Sequence, residues 1–377
     1  MNEKRKEYEI MAPVGSYESM AAAINAGAQS VYFGIGQLNM RSHSANNFKM
    51  TDLAEIVRIC SEYGVKTYLT LNIALFGEDL EDMKRTLDAA KAAGITAVIA
   101  SDMAAIIYAR QIGLEVHIST QLSISNIEAL RFYAQFADVI VLARELNLGQ
   151  VKDIKAIIDQ EQICGPSGRL VEIEMFAHGA LCMAISGKCY LSLHEYGASA
   201  NRGSCFQLCR RGYKVEDLET GMQLEIDNKY IMSPKDLKTI HFMNKMMDAG
   251  VRVFKIEGRA RGAEYVKNVV TCYKEAIDAY LNGTFTEEKI AKWDESLSRV
   301  FNRGFWDGYY LGRRLGEWSH RYGSSATEKK VYIGKVTNYF KNIGVAECLM
   351  ESYDLKVGEK IRITGDTTGA YEAVVDE

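Results

Sequence analysis

The sequence predicts an α/β protein: a (β/α)8, TIM-like barrel with a Cys-rich insertion after the seventh strand and a small C-terminal β-barrel domain. Three observations predict it. Eight short apolar runs alternate with helical patterns, as parallel βαβ units do. These units fill residues 1–285, the roughly 250 residues of a barrel plus an insertion. No G-x-G-x-x-G follows the first run, which counts against the rival doubly wound open sheet.

The expected strands are "YEIMAPV" (8–14), "SVYFGI" (30–35), "VKTYLTLN" (65–72), "AVIAS" (97–101), "EVHIST" (115–120), "DVIVLA" (138–143), "RLVEIEMFAHG" (169–179) and "VRVFKIEG" (251–258). Between them, 49–64 reads as an amphipathic helix with Leu53, Ile56, Val57 and Cys60 on one stripe and Gly64 as its stop. Further helices are expected over 78–94 and about 264–282. The insertion spans about 179–232 and ends in an expected hairpin over 213–232. Ser233 and Pro234 then read as N-cap and first residue of a helix over 233–250. Residues 286–330 form an aromatic and Arg-rich connecting segment. Residues 331–377 read as short strands of a small, incomplete β-barrel domain.

Composition narrows the function classes. The 377 residues are 47% hydrophobic with a net charge of −4, which argues against a generic nucleic-acid coat but not against a local basic face. The charged start "MNEKRKEYEI" lacks the apolar core of a signal peptide, and no run approaches the ~20 apolar residues of a membrane span. A cytoplasmic location without membrane partners is expected. Thiols stay reduced there, so clustered cysteines read as metal ligands or catalytic groups.

Barrel enzymes place their chemistry at the C-terminal strand ends. Those ends carry Arg41, Asn72, Gln121, Arg144, His178, Glu257, Arg259 and Arg261. His178, Glu174 and Glu257 are the candidate catalytic groups. Arg41, Asn72, Gln121, Arg144, Arg202, Arg259 and Arg261 are the candidate substrate-binding groups, because guanidinium forks match carboxylates in bidentate geometry.

Four of the eight cysteines, Cys182, Cys189, Cys205 and Cys209, fall within 28 residues as Cys-x6-Cys-x15-Cys-x3-Cys. Four thiolates suit an iron–sulfur cube or structural zinc. Cys205-x3-Cys209 suits zinc, whereas Cys182-x6-Cys189 is wide for it and also departs from the ferredoxin run. A 4Fe–4S cluster, zinc, and free or redox thiols all stay open on spacing alone. Cys60 and Cys272 fall in helical apolar patterns and read as core; Cys164 and Cys348 read as unrelated. HExxH and G-x-S-x-G are absent from the sequence, and a thiol peptidase would need Cys182 paired with His178 or His194.

"EMFAHGALCMAISGKCYLS" (174–192) resembles the signature of the collagenase-like peptidases of class U, the class of unknown catalytic type, at Glu174, Phe176, Gly179, Ala180, Leu181, Cys182, Ser186, Gly187, Cys189, Leu191 and Ser192. "MAPVGSYESMAAAINAGAQSVYFG" and "FKIEGRARGAEYV" (254–266) are also similar to that family, so the likeness runs over residues 8–285. The resemblance implies that several members are oxygen-independent hydroxylases holding a 4Fe–4S cluster through four cysteines, here Cys182, Cys189, Cys205 and Cys209. It implies tRNA wobble-uridine 5-hydroxylation with prephenate as hydroxyl donor, or the hydroxylation of a ribosomal RNA cytidine or a ubiquinone precursor. The collagenase-like protease activity of the family name is a further alternative. On the tRNA reading, Tyr190, Phe206 and Tyr213 could stack on the base, and Arg210, Arg211, Arg313, Arg314 and Arg321 could meet phosphates. The run "LKVGEKIRI" also resembles RNA-contacting barrels of translation factors.

Overall fold

Eight parallel strands close on themselves in the computed structural model, which describes residues 3–43, 47–221, 223–224, 232–312 and 316–376. Strands β1 (Glu9–Pro13), β2 (Ser30–Phe33), β3 (Lys66–Leu71), β4 (Ala97–Ala100), β5 (Glu115–Ile118), β6 (Val139–Val141) and β7 (Glu172–Gly179) alternate with α1 (Tyr17–Asn25), α2 (Leu53–Glu62), α3 (Leu80–Ala93), α4 (Met103–Gln111), α5 (Ile127–Ala134) and α6 (Leu148–Glu161). The excursion after β7 carries α7 (Leu191–Tyr196), a short ladder of β8 (Val215–Glu216) with β9 (Gln223–Leu224), and β10 (Asp236–Lys238). Then come α8 (Met243–Asp248), β11 (Val251–Ile256), α9 (Ala263–Leu281), α10 (Glu287–Arg299) and β12 (Phe305–Trp306). The seam closes because β11 pairs in parallel with both β1 (Ile10 opposite Phe254) and β7 (Met175 opposite Phe254).

Local chemistry explains the alternation. Five of the ten α-helices described start on a side chain that caps free backbone N–H groups: Ser16 for α1, Asp102 for α4, Asn126 for α5, Asn147 for α6 and Thr286 for α10. Gly94 ends α3 with φ 85°. Alternate strand positions split the core. Ile10, Ala12 and Phe254 pack outward with the helices, while Met11, Tyr32, Tyr68, Ile99 and Val253 fill the barrel. Helix α9 lays Val266, Val269, Val270, Tyr273 and Ile277 on the outer layer, each worth ~1.5–3 kcal/mol of burial. Val270→Asp would put a charge into that face and break it.

The helix expected over 233–250 is mostly not one. Only Met243–Asp248 is α-helical, preceded by a 3-10 turn at Ile240–Phe242. Pro234 bridges Trp318, and β10 pairs antiparallel with β7 and parallel with β12. Strand partners distant in sequence claim the backbone that a local cap would have turned into a helix. The expected 213–232 hairpin is represented by the β8–β9 ladder; residues 222 and 225–231 lie outside the described residues.

At the C-terminal end, β13 (Gly334–Phe340) pairs with β14 (Val345–Met350), and β15 (Lys360–Gly365) with β16 (Gly369–Val374). No pairing joins the two ladders among the described residues. The second rests on the barrel: Lys267 Nζ donates to Ala370 O at 2.8 Å, beside Ala22 of α1. No helix among the described residues is long and apolar enough to cross a membrane.

Candidate functional site

At the C-terminal mouth of the barrel, β11 ends in Glu257, and three arginines act on its carboxylate. Arg41 Nη2 lies 2.7 Å from Glu257 Oε1, and Arg261 and Arg144 add their fields. Burial opposes the charge, yet the three guanidiniums hold the carboxyl below its usual range. Arg259 is buried and engaged at both Nη atoms, donating to Thr70 Oγ1 at 3.1 Å and Asn39 Oδ1 at 2.9 Å. Burial pushes its pKa down to about 10. Asn72 Oδ1 accepts from Met40 N at 3.2 Å and its amide donates to Gln121 at 3.4 Å; Gln121 also meets Ser119. Arg259, Asn72 and Gln121 therefore fix the loops of the mouth.

Two arginines retain unmet donors. Arg144 stacks on the Phe176 ring at 3.6 Å and donates from Nη1 to Ala180 O at 3.1 Å, but its Nε is buried without an acceptor among the described residues. Arg261 stacks on Phe301 at 3.4 Å, and no acceptor meets its guanidinium among the described residues. Beside Arg144 lies a cavity of about 150 Å³, lined by Thr120, Ser123, Glu145, Cys182 and Ser186 among others. Ser123 holds φ 52°, and its buried hydroxyl also lacks a partner. A larger cavity of about 610 Å³ lies between α9, α10 and β15–β16, on the outside of the barrel and apart from these groups.

Three expected site residues sit elsewhere. Glu174 lies inside the barrel, completely buried, with Lys255 Nζ 2.7 Å away and His117 Nδ1 3.8 Å away. Burial opposes its charge, but Lys255 and His117 hold it below the usual carboxyl range. His178 turns away from the mouth. Phe176 lies opposite Lys255 and His178 opposite Ile256, so β7 carries one extra residue there. That bulge packs the imidazole among Tyr265, Tyr273 and Phe305, and burial drives its pKa down to about 3. Arg202 is committed to Asp79 at 2.6 Å and Ala74 O at 3.0 Å, stacked on Phe76. It pins the insertion to the loop after β3.

The insertion folds over the mouth. Arg210 donates to Leu181 O and Pro234 O, each at 2.6 Å, tying both ends of the insertion together. Gly179, at φ 106°, makes the exit from β7: a Cβ there would stand 2.4 Å from Glu257 O. Cys182 is exposed and Cys189, Cys205 and Cys209 are half-buried. Burial pushes the Cys209 thiol up to about 11; Arg210 works against this, and Cys182, Cys205 and Cys189 act in the same direction as burial. Cys182, Cys189 and Cys205 thus all lie within electrostatic reach of Cys209. No three metal-ligating groups among the described residues converge as a single ion would require. Cys60 and Cys272 are buried, as their patterns predict. Arg313 and Arg314 lie outside the described residues. Tyr213 is half-buried, its hydroxyl spent on Leu208 O at 2.7 Å.

Sequence reasoning missed Lys255, His117 and the Arg303–Asp236 pair at 3.3 Å. The signal for the first two was present: charged residues at inward positions of apolar strands must find one another inside.

The family model described as "Peptidase family U32" matches residues 15–320. A protein named "Collagenase" from Porphyromonas gingivalis is 65% identical over 98% of this chain and 90% of its own length. The "tRNA hydroxylation protein P1" of Bacillus subtilis is 32% identical over 99% of this chain and 88% of its own. The "23S rRNA 5-hydroxycytidine C2501 synthase" of Escherichia coli is 33% identical over 95% of this chain and 53% of its own.

Proposed function

The chain belongs to peptidase family U32, and from that premise we propose that it is an RNA-modifying, oxygen-independent hydroxylase. Its proposed reaction is 5-hydroxylation of a tRNA wobble uridine. One observation carries the reading: Arg144, whose buried Nε has no acceptor among the described residues, and Arg261, stacked on Phe301, both act on one carboxylate, Glu257, at the mouth of the barrel. Three guanidiniums gathered on Glu257, with Glu145 also lining the cavity beside Arg144, suit a small dicarboxylate donor, of which prephenate is the member to test first. The relatives named for tRNA and rRNA hydroxylation support the substrate class.

The cofactor of this reading is a 4Fe–4S cluster on Cys182, Cys189, Cys205 and Cys209. A tetrahedral zinc would draw its thiols to about 3.8 Å from one another. Cys182, Cys189 and Cys205 all act on Cys209, which supplies the four-thiolate set that a cube takes. When bound, the cluster supplies redox or Lewis-acid chemistry at the mouth. The chain's own residues do the rest. Arg144 and Arg261 bind and orient the donor's carboxylates. Glu257, held ionised by Arg41, accepts a hydrogen bond or proton from the reacting groups. The insertion, clamped by Arg202 and Arg210, limits water at the mouth.

The test is iron and sulfide content with a visible spectrum on protein purified without oxygen, joined to nucleoside analysis of RNA from a deletion strain. A brown protein with about four iron per chain, lost in Cys182→Ala, and a missing 5-hydroxyuridine derivative are expected. Stoichiometric zinc with unchanged tRNA nucleosides would overturn the reading. The 65% identical relative named collagenase favours a second reading, proteolysis. Against it, His178 is packed away among aromatic rings, where it cannot serve Cys182 as a base. Cleavage of gelatin by the metal-free protein would restore proteolysis.

A further inference from the structure

We infer that the outer face of the cysteine insertion is a stacking platform for an unpaired loop of RNA, an interface that rests on the hydroxylase reading and extends it. The face concentrates aromatic side chains in solvent. Tyr190, Tyr196 and Phe206 are 75%, 50% and 54% exposed. Tyr196 and Phe206 stand edge to face with centroids 5.3 Å apart. Arg211 lies 5.8 Å from the Tyr196 ring and donates to its hydroxyl at 3.1 Å. Exposed rings beside a guanidinium are what unstacked bases use, because every base offers a π-face and every nucleotide a phosphate.

Charge selects the occupant. The stretch that holds the rings is locally basic: residues 180–214 carry five basic side chains (Lys188, Arg202, Arg210, Arg211, Lys214) and one acidic (Glu195), while residues 215–232 add one basic and five acidic, so the insertion as a whole balances. Arg202 and Arg210 are spent on internal contacts, but Lys188, Arg211 and Lys214 face solvent. The two C-terminal ladders are the contrasting case. They expose Tyr332, Tyr339, Phe340 and Tyr371, yet residues 331–377 hold five basic against eight acidic side chains. An equally aromatic surface of opposite charge repels a phosphate backbone. The RNA contact therefore belongs to the basic 180–214 stretch of the insertion, whose Phe206 directly follows Cys205, and not to the C-terminal ladders.

The experiment is fluorescence anisotropy of a labelled stem-loop RNA with an unpaired loop, against a blunt RNA duplex, over a salt series. Wild type is compared with Tyr196→Ala, Phe206→Ala, Arg211→Ala and, as control, Tyr339→Ala on β13. Iron content and thermal melting are followed for each. Both aromatic variants should weaken stem-loop binding about five- to a hundredfold with an unchanged salt slope, and Phe206→Tyr should restore it. Arg211→Ala should lower the salt slope by about one unit, and the control should bind as wild type. If wild type binds the stem-loop and the three variants match it, the platform is overturned while the hydroxylase reading stands. If wild type binds no RNA, both fall. Capture by phosphatidylserine vesicles through these residues, with the stem-loop ignored, would make the face a membrane contact and overturn the proposal.

Discussion

Glu174→Gln separates a structural role from a catalytic one. Glu174 is completely buried, and the carboxylate has two cationic neighbours, Lys255 at 2.7 Å and His117 at 3.8 Å. Arg144 and Arg259 stand close enough to disfavour the Lys255 ammonium further. Removing the one negative charge strands those cations in a core without water to solvate them. Breaking a buried pair in this way costs about 3–5 kcal/mol. At about 2 °C per kcal/mol for a chain of this size, the midpoint of thermal unfolding should fall by about 6–10 °C. Removing both partners, Glu174→Leu with Lys255→Met, should recover most of the loss, because two apolar side chains need no counter-charge. The assay is calorimetry at pH 7, with activity measured on the surviving folded fraction. A single variant within about 1 kcal/mol of wild type, or a double variant worse than the single, would refute the electrostatic account. A double variant that folds well but has no activity would return Glu174 to the catalytic list.

Further perturbations give equally definite outcomes. His178→Phe should keep activity within about twofold, since rings surround it; a loss of a hundredfold or more would mark general acid–base chemistry instead. Gly179→Ala should destabilise by about 2–4 kcal/mol in denaturant titrations, because a Cβ there meets Glu257 O at 2.4 Å and the residue sits at φ 106°. Arg261→Ala should raise KM for a dicarboxylate donor about tenfold or more with kcat little changed, and Arg261→Lys should recover part of it; an unchanged KM would remove Arg261 from the donor site. Burial works against the His117 charge, but contacts with Glu115 and Glu174 outweigh it and push its pKa up from 6.5 to about 9. The stabilisation is therefore complete below pH 6.5 and is lost as pH rises towards about 9. Thermal midpoints measured across that window should decline in wild type and stay flatter in His117→Gln.

The barrel was legible because each strand carries its own signal. Runs such as "SVYFGI" and "VKTYLTLN" are apolar, bounded, and followed by a cap or a helical stripe. The segment after Ser233 was not legible, because its fate depends on Gly179, Phe305 and Trp318, far away in the chain. His178 misled for a related reason. Strict alternation points it into the barrel with Glu174 and Phe176, and one bulged residue reverses it. Arg202 and Arg261 look alike in sequence, yet one is spent on Asp79 and the other keeps its donors. Only the three-dimensional count of acceptors tells them apart. The thiol spacing located the insertion over the mouth but could not say how far the four sulfurs converge.

The seam between β7 and β11 also bears on synthesis. As the chain leaves the ribosome, the first seven strands emerge as an open sheet with β1 and β7 both unpaired at their edges. Everything from Gly179 to Gly250 must be made before β11 can join them. During that interval two bare edges are available to neighbouring chains. The cysteine insertion is the segment being made in that interval. If it folds early, β10 comes to lie antiparallel against the end of β7 and shields part of one edge. Slow translation across residues 180–250, or early filling of the thiol site, should then raise the yield of soluble protein.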